Sequence, residues 1–481
     1  MHLLVTGASG RVGTCVVGGL RARGHRVRAF DRRPPAEGGG EFLQGDLGDF
    51  DRVRRAVDGV DAVIHLGGNA GERPWPEIAN NNYIGCYHVF EAAREAGIRR
   101  VVFASRAGLL WLYPDSVQRR VEMMPRPLGL YDNSKLFGEM LGSMYASRFD
   151  MECVCVRIGN FSVDRDQPGH PHQLSHGDCV RLFEQAVTHP VAGFEIVFGV
   201  SASDWPLYDL DHGRRAIGYE PRDISHVPEA ERTFRGDEGP AEPLSDQPPR
   251  RVLITGAAGQ VGRVVARGLR GRYEVRGMDR VAMPELSDTV VAPLGDFEAC
   301  LRATREVDAV VHLGGTPSGG SPWEEVWSSN FVGTWHMMEA ARINRVPRVA
   351  YASRAGILSP YPRDLQRTVD LFPKPETYYT ISKVFGEGLG HTWAWRHGTR
   401  FVGVRIGNFS LERDQPGHPH QLGHEDAVRV FEAAITHTGS TYEIVFGVSD
   451  SDWPLYDVDH GRRAIGYEPA QRSIVPEAER N

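Results

Sequence analysis

Short, continuous apolar runs recur along the chain and alternate with stretches whose apolar positions follow a helical period. In the first half, runs at Leu3–Val5, Arg26–Phe30, Ala62–Leu66, Arg100–Ala104 and Cys153–Ile158 predict strands. Amphipathic stretches beginning near Arg11, Phe50, Asn82 and Leu130 predict helices. Strands that are apolar throughout belong in a sheet covered on both faces, and their alternation with helices predicts a parallel, doubly wound α/β sheet. After the last of these strands the pattern turns irregular and rich in His, Pro and Gly, where such a domain carries a small C-terminal substrate cap.

The same pattern is written twice. Leu4-Val-Thr-Gly-Ala-Ser-Gly-Arg-Val-Gly13 returns as Leu253-Ile-Thr-Gly-Ala-Ala-Gly-Gln-Val-Gly262, and Arg165-Asp-Gln-Pro-Gly-His-Pro-His-Gln-Leu174 returns unchanged as Arg413 to Leu422. Solenoid repeats run about 20–50 residues, so this longer period is a duplicated whole domain. Pro228-Glu-Ala-Glu-Arg232 recurs as Pro476 to Arg480 and closes each copy. The predicted organisation is two tandem Rossmann-type domains, 1–232 and 251–481, joined by a linker over 233–250. Pro, Gly and acidic residues without apolar periodicity predict that the linker is solvated.

Composition narrows the classes. The chain has 481 residues, 41% hydrophobic and 24% charged, which excludes disorder of the whole chain. A net charge of -7 offers no phosphate-neutralising surface, so no nucleic-acid partner is expected. No apolar run approaches the ~18 residues of a membrane span, and none is expected. Met1-His2-Leu3-Leu4-Val5 enters the first strand at once, so no signal peptide is expected either. Six cysteines without C-x-x-C spacing (Cys15, Cys86, Cys153, Cys155, Cys179, Cys300) read as reduced thiols of a cytoplasmic protein.

Gly7-x-x-Gly10-x-x-Gly13 follows a strand and opens a helix, and Gly256, Gly259 and Gly262 repeat it. Glycines tighten the turn and let backbone N–H groups approach a pyrophosphate. Arg11-Val12 and Gln260-Val261 lie inside the same fingerprint. Asp31 and Asp279 end the second strand of each copy, where a carboxylate accepts ribose hydroxyls and favours NAD over NADP. Arg32 and Arg280 follow and would soften that preference.

Tyr131-Asp-Asn-Ser-Lys135 is mirrored by Tyr379-Thr-Ile-Ser-Lys383. On a helix, residues i and i+4 share a face, and an ammonium beside a phenol favours the phenolate. Moving a tyrosine pKa from ~10 to near 7 takes about 4 kcal/mol, which the lysine and an oxidised nicotinamide would share. Such a tyrosine takes a hydroxyl proton while hydride leaves the same carbon. The alternative for an isolated Y-x-x-x-K is a solvated helix face.

Each copy resembles an extended short-chain dehydrogenase/reductase of the NAD-dependent epimerase/dehydratase family, closest in look to its uronate dehydrogenase branch. The resemblance rests on the glycine fingerprint, Gly45-Asp-Leu47, His65-Leu-Gly-Gly68, Asn82 before Glu91-Ala-Ala93, Phe103-Ala-Ser105, Tyr131-x-x-Ser-Lys-x-x-Gly-Glu139 and Val156-Arg-Ile-Gly159. It implies NAD as cofactor and oxidation of the anomeric carbon of a sugar acid. It implies that Asp46 and Leu47 contact adenine and that Leu66, Gly67 and Gly68 line the adenosine and pyrophosphate path. Lys135 would hold the nicotinamide ribose, with Ile158 near the nicotinamide. Asn82 joins the cofactor set, as do Leu313, Gly314, Gly315, Asn330, Lys383 and Ile406 of the second copy. There Pro293 aligns with Asp46, and Asp296 is a candidate substitute.

The catalytic serine of the family is absent. Arg106 and Arg354 stand at its position, followed by Ala107-Gly108 and Ala355-Gly356. Other branch serines are replaced by Ala70, Pro317, Asn160 and Asn408. An arginine beside the reacting carbon would clamp an anionic group or stabilise an oxyanion; the alternative is a structural ion pair. Ser105 and Ser353, one residue earlier, are candidate donors, although neighbours on a strand point to opposite faces. His170, His172 and His176 recur as His418, His420 and His424. No acidic or Cys ligand sits at fixed spacing from this H-x-H-x-x-x-H, so a substrate loop or loop packing is expected and no metal. Arg165, Asp166, Gln167, Arg413, Asp414 and Gln415 flank it as pocket candidates. Ser203-Asp-Trp-Pro-Leu-Tyr-Asp209 and its twin suit either a sugar ring or packing between the copies.

The leading expectation is an NAD-dependent oxidoreductase acting on a sugar, sugar acid or related polar substrate. Tyr131 and Tyr379 would be bases, Lys135 and Lys383 would lower their pKa, and Arg106 and Arg354 would orient substrate. Two alternatives stand beside it: an epimerase, dehydratase or lyase in which hydride leaves and returns, and a non-catalytic NAD-binding pseudoenzyme. The duplication suggests an intramolecular pseudo-dimer and leaves further self-association open.

Overall fold

A computed structural model describes residues 1–35, 40–233 and 239–480. The chain divides into two compact units, Met1–Glu238 and Gly239–Asn481. The first unit runs β1 (His2–Thr6), α1 (Arg11–Ala22), β2 (Arg26–Asp31), β3 (Glu41–Gln44), α2 (Phe50–Val57), β4 (Ala62–His65), α3 (Trp75–Ile78), α4 (Gly85–Glu95), β5 (Arg100–Arg106), α5 (Leu130–Phe149), β6 (Glu152–Ile158), α6 (His176–Thr188) and β7 (Phe194–Gly199). β8 (Ala202–Ser203), α7 (Asp211–Ile217) and β9 (Ile224–Ser225) complete it.

The second unit repeats the plan: β10 (Arg251–Thr255), α8 (Gln260–Leu269), β11 (Glu274–Asp279), β12 (Asp288–Val291), α9 (Phe297–Ala303), β13 (Ala309–His312), α10 (Trp323–Val326), α11 (Gly333–Ile343), β14 (Arg348–Arg354), α12 (Tyr378–His397), β15 (Arg400–Ile406), α13 (His424–Thr436), β16 (Tyr442–Gly447), β17 (Asp450–Ser451), α14 (Val458–Ile465) and β18 (Arg472–Ser473).

Each unit holds a seven-stranded sheet, ordered β3-β2-β1-β4-β5-β6-β7 and β12-β11-β10-β13-β14-β15-β16. Every neighbouring pair is parallel. The expected doubly wound fold is therefore present twice. Leu3, Val5, Ile64, Val102 and Val154 pack against Val16 and Leu20 of α1 and Leu182 and Phe183 of α6. Each such side chain stabilises the unit by about 1.5–3 kcal/mol on full burial. Phe90, Phe103 and Tyr145 fill the opposite face. Chain order reverses between β1 and β4, which opens a crevice at the carboxyl ends of the strands, where such sheets bind ligands.

The predicted strands and helix starts at Arg11, Phe50 and Leu130 match. The helix expected near Asn82 is α4, entered through a π-helical turn over Ala79–Ile84. β3, β7 and α6 were not among the predicted elements. The division between units falls inside the expected linker, and residues 241–247 lie on the second unit. Ala241 N donates to Trp395 O (2.8 Å) and Leu244 N to Gly398 O (3.0 Å), so this segment straps the end of α12. Arg348 and Arg400 hold its far end through the Gln247 carbonyl and the Asp246 carboxylate. No helix among the described residues is long and apolar enough to cross a membrane.

Candidate active site

β1 ends at Thr6 and the chain turns over Gly7 with φ +67°, where an L side chain is strained. A Cβ on Gly7 would lie 2.7 Å from the Gly67 backbone, and one on Gly13 would lie 2.1 Å from the Gly7 carbonyl. α1 begins at Gly10, which brings no side-chain cap, and the first turn carries no acid. Its free N–H groups and positive end suit an anion. At the end of β2 the Asp31 carboxylate accepts from Ser9 N (3.1 Å) and Arg33 N (3.2 Å), which fixes it at the crevice edge. Asp279 accepts likewise from Ala258 N (3.0 Å).

A cavity of about 580 Å³ joins this turn to Tyr131, Lys135 and Arg106. Gly7, Gly10, Arg11, Val12, Gly13, Asp31, Leu47, Leu66, Gly67, Gly68 and Ile158 line it, as the cofactor reading expects. The second unit has a cavity of about 880 Å³ lined by Gly256, Gly259, Gln260, Val261, Gly262, Asp279, Leu313, Gly314, Gly315 and Ile406, together with Tyr379, Lys383 and Arg354.

Three members of the expected cofactor set lie elsewhere. Asp46 accepts from Gly48 N (2.8 Å) and stands 3.8 Å from Arg32 at the surface. Asn82 and Asn330 do not line the cavities. Nδ2 of Asn82 donates to Ser134 Oγ (3.0 Å) and Asn69 O (3.1 Å), and its Oδ1 accepts from Asn69 N (2.8 Å), so it shapes the Gly67–Asn69 loop. Asn330 does the same through Thr316 and Ser382. Asp296 is no substitute for Asp46. It caps α9 by accepting from Ala299 N (2.9 Å), as Asp49 caps α2.

α5 carries the pair the spacing predicted. Glu72 accepts from Leu130 N (3.1 Å) and Tyr131 N (3.2 Å), which starts the helix. Lys135 Nζ donates to the Ala104 carbonyl (2.9 Å) and stands 5.5 Å from the Tyr131 ring centroid. The Arg106 guanidinium lies 5.4 Å over the same ring, with Nε 3.0 Å from Asp132 Oδ1. In the second unit Lys383 lies 5.4 Å and Arg354 5.8 Å from the Tyr379 ring. Burial, with the Arg354 charge nearby, pushes Lys383 down to about 8. Burial also raises the Tyr379 phenol, and the Arg354 guanidinium opposes that rise.

Ser105 and Ser353 do not replace the missing serine. Ser105 Oγ donates to Glu139 Oε1 (2.6 Å), and that carboxylate makes a fully buried two-pronged pair with Arg157 (2.8 and 2.9 Å). Ser353, Glu387 and Arg405 repeat this arrangement. The strand's alternation turns the serine away, and Glu139 holds it there.

The histidine-rich loop divides. His172 lines the first cavity, its Nδ1 2.5 Å from the Tyr208 hydroxyl, and burial pushes it down to about 3. His170 packs edge-on against Trp205. His418 and His420 pack against one another with tilted rings, centroids 4.0 Å apart, and burial lowers both. His176 and His424 turn Nε2 to the Ser162 and Ser410 carbonyls (2.8 Å each). Asn160 lines the first cavity, whereas Asn408 does not line the second. Arg165 and Arg413 brace the loop by donating to the Asn160 (2.8 Å) and Asn408 (3.1 Å) carbonyls. Trp205, Leu207 and Tyr208 are buried, as core of the cap within their own unit. Among the described residues no group of three or more His, Cys, Asp or Glu converges as a metal site.

Residues 3–177 and 252–444 match the NAD dependent epimerase/dehydratase family. The chain belongs to that family. Uronate dehydrogenase of Pseudomonas syringae pv. tomato is 37% identical over 230 residues, 47% of this chain and 83% of that protein. The NAD-dependent glucose-6-phosphate dehydrogenase of Haloferax volcanii is 35% identical over 259 residues, 49% of this chain and 97% of that protein. The L-arabinose 1-dehydrogenase (NAD(P)(+)) of the same organism is 34% identical over 250 residues, 47% of this chain and 97% of that protein. Each relative spans about one repeat, so the epimerase/dehydratase unit occurs here twice, as the resemblance implied. Reading by motif overlooked Asp132, Trp111 and the Glu139–Arg157 pair. Glu139 and Arg157 stand inside the Tyr131–Glu139 and Val156–Gly159 motifs, and the signal for Asp132 is its place next to Tyr131.

Proposed function

We propose that each repeat is an NAD-dependent dehydrogenase that oxidises a hydroxyl of a sugar or sugar acid. The observation that carries the reading is the joining, in one cavity and twice over, of a tyrosine–lysine pair to a glycine turn that admits no Cβ. The glycine cradle, the uncapped helix start and the Asp31 carboxylate fit a dinucleotide's pyrophosphate and ribose. The named relatives act on sugars or sugar acids, which supports the substrate class.

NAD, when bound, supplies the two-electron acceptor by which an alcohol carbon becomes a carbonyl. The chain's own residues handle the proton. Tyr131 and Tyr379 accept it from the substrate hydroxyl at the phenol oxygen. Lys135 and Lys383, on the same helix face, favour the phenolate by their charge. Arg106 and Arg354, over the tyrosine rings, orient substrate oxygen at the position where the family places a serine. His172 and Trp111 wall the first cavity and exclude water.

NADH absorbance should grow with a hexuronate, an aldose or an acidic sugar. The double variant Tyr131→Phe, Tyr379→Phe should lose about 10²–10⁴ of that rate. The commitment of Ser105 to Glu139 favours a second reading, in which hydride returns to the substrate. Product by mass spectrometry without absorbance growth would select it. NAD binding with no product, unchanged by the double variant, would leave a non-catalytic binder.

A further inference from the structure

The two cavities differ around the tyrosine and arginine rather than around the glycine turn. In the first repeat Arg106 faces the Asp132 carboxylate at 3.0 Å, and Glu72 sits at the start of the same helix. In the second, Thr380 stands where Asp132 stood, and its hydroxyl is committed to the Thr377 capping box (2.9 and 3.0 Å). Gly319 and Gly320 occupy the stretch of Glu72. Among the described residues Arg354 makes no ion pair; its guanidinium lies 5.8 Å over the Tyr379 ring and hydrogen-bonds that side chain. The carboxylate that does line the second cavity, Glu325, is held by the Thr316 hydroxyl (2.9 Å) beside Ser329. The cation of the first site is thus offset by a neighbouring carboxylate, and the cation of the second is not.

Shape differs independently. Trp111 lines the first cavity, edge-on to His172 with ring centroids 5.4 Å apart. Its counterpart is Ser359, which does not line the second cavity. An indole offers a broad apolar wall for an uncharged ring. An arginine fork without a carboxylate partner offers two parallel donors to a carboxylate or phosphate.

We propose that the repeats are divided in substrate. The second takes a sugar bearing an anionic group, held by Arg354, and the first takes a neutral sugar laid on Trp111. This rests on the dehydrogenase reading above, and it makes Asp132/Thr380 and Trp111/Ser359 the specificity-determining positions.

The test uses the full chain with one site silenced at a time. Tyr379→Phe reports the first repeat and Tyr131→Phe the second, by NADH growth on glucose, arabinose, glucuronate and glucose 6-phosphate. The Tyr131→Phe chain should prefer an acidic sugar over a neutral one by about tenfold or more in kcat/KM, and the Tyr379→Phe chain should show the reverse order. Glucuronate against glucose 6-phosphate separates a carboxylate from a phosphate. In the Tyr131→Phe background, Thr380→Asp should raise KM for the acidic sugar about tenfold, while Thr380→Asn, of equal size and no charge, should not. The same substrate ranking in both silenced chains, or equal effects of Asp and Asn, would overturn the division while leaving the dehydrogenase reading intact. No NADH from the unaltered chain with any sugar would overturn both.

Discussion

The dinucleotide end and the substrate end of each repeat have fared differently since the duplication. At the dinucleotide end the copies are nearly superimposable in their constraints. A Cβ would meet backbone at 2.7 Å on Gly7 and 2.8 Å on Gly256, and at 2.1 Å on both Gly13 and Gly262. Asp31 and Asp279 accept the same backbone N–H. At the proposed substrate end Asp132 corresponds to Thr380, Trp111 to Ser359, and the Glu72 stretch to Gly319-Gly320. A site built from backbone tolerates no added atom, because main chain cannot step aside. A site built from side chains exchanges charge and bulk while the backbone stays put.

The comparison can be broken at several points. The largest effect is expected beneath both ends. Glu139→Ala leaves Arg157 buried without its counter-charge and should cost the first repeat about 3–5 kcal/mol in urea unfolding; Glu387→Ala should do the same to the second. Next, Gly13→Ala and Gly262→Ala should each cost about 1–3 kcal/mol through overpacking and reduce NAD sites per chain from two to one by calorimetry. Unequal losses from the two glycine variants would end the claim that the dinucleotide ends are equivalent. Trp111→Ser should weaken binding of a neutral sugar by about 1 kcal/mol, seen as KM in the chain with Tyr379→Phe.

The smallest effects concern pH. Burial pushes His65, His172 and His312 down to about 3 from 6.5. The folded state therefore binds fewer protons, so this stability is whole above pH 6.5 and is lost as pH falls towards 3. Between pH 7 and 6 each buried imidazole should remove about 0.7 kcal/mol. Burial also pushes His420 and His437 of the second repeat down to about 4, so that repeat, with three such imidazoles against two, should melt first in acid. Lys383, pushed down to about 8 from 10.5, works in the same sense at the other end: the second repeat should gain stability as pH rises from about 8 to 10.5. Thermal melts of the full chain, followed repeat by repeat through hydrogen exchange, check both.

Much of the fold was legible because its signals are local. Arg11, Phe50 and Leu130 each begin a helix where periodicity said one would start. β3 escaped because its residues are half-buried at a sheet edge, and α6 because it opens directly out of the irregular loop. At the site, the Tyr131–Lys135 face followed from helical geometry alone. That Ser105 turns away from the cavity followed from strand alternation, but the Glu139 carboxylate that holds it there comes from another element, and no spacing reveals it.

By itself the sequence determined the duplication, the parallel sheet, the glycine turn and the phenol beside an ammonium, because each depends on neighbours within a few positions along the chain. Tertiary structure decided which arginine has a carboxylate beside it, which histidine reaches a cavity and which carboxylate holds each strand serine. Those outcomes depend on contacts between residues brought together only when strands and helices pack, where distance along the chain carries no information about distance in space.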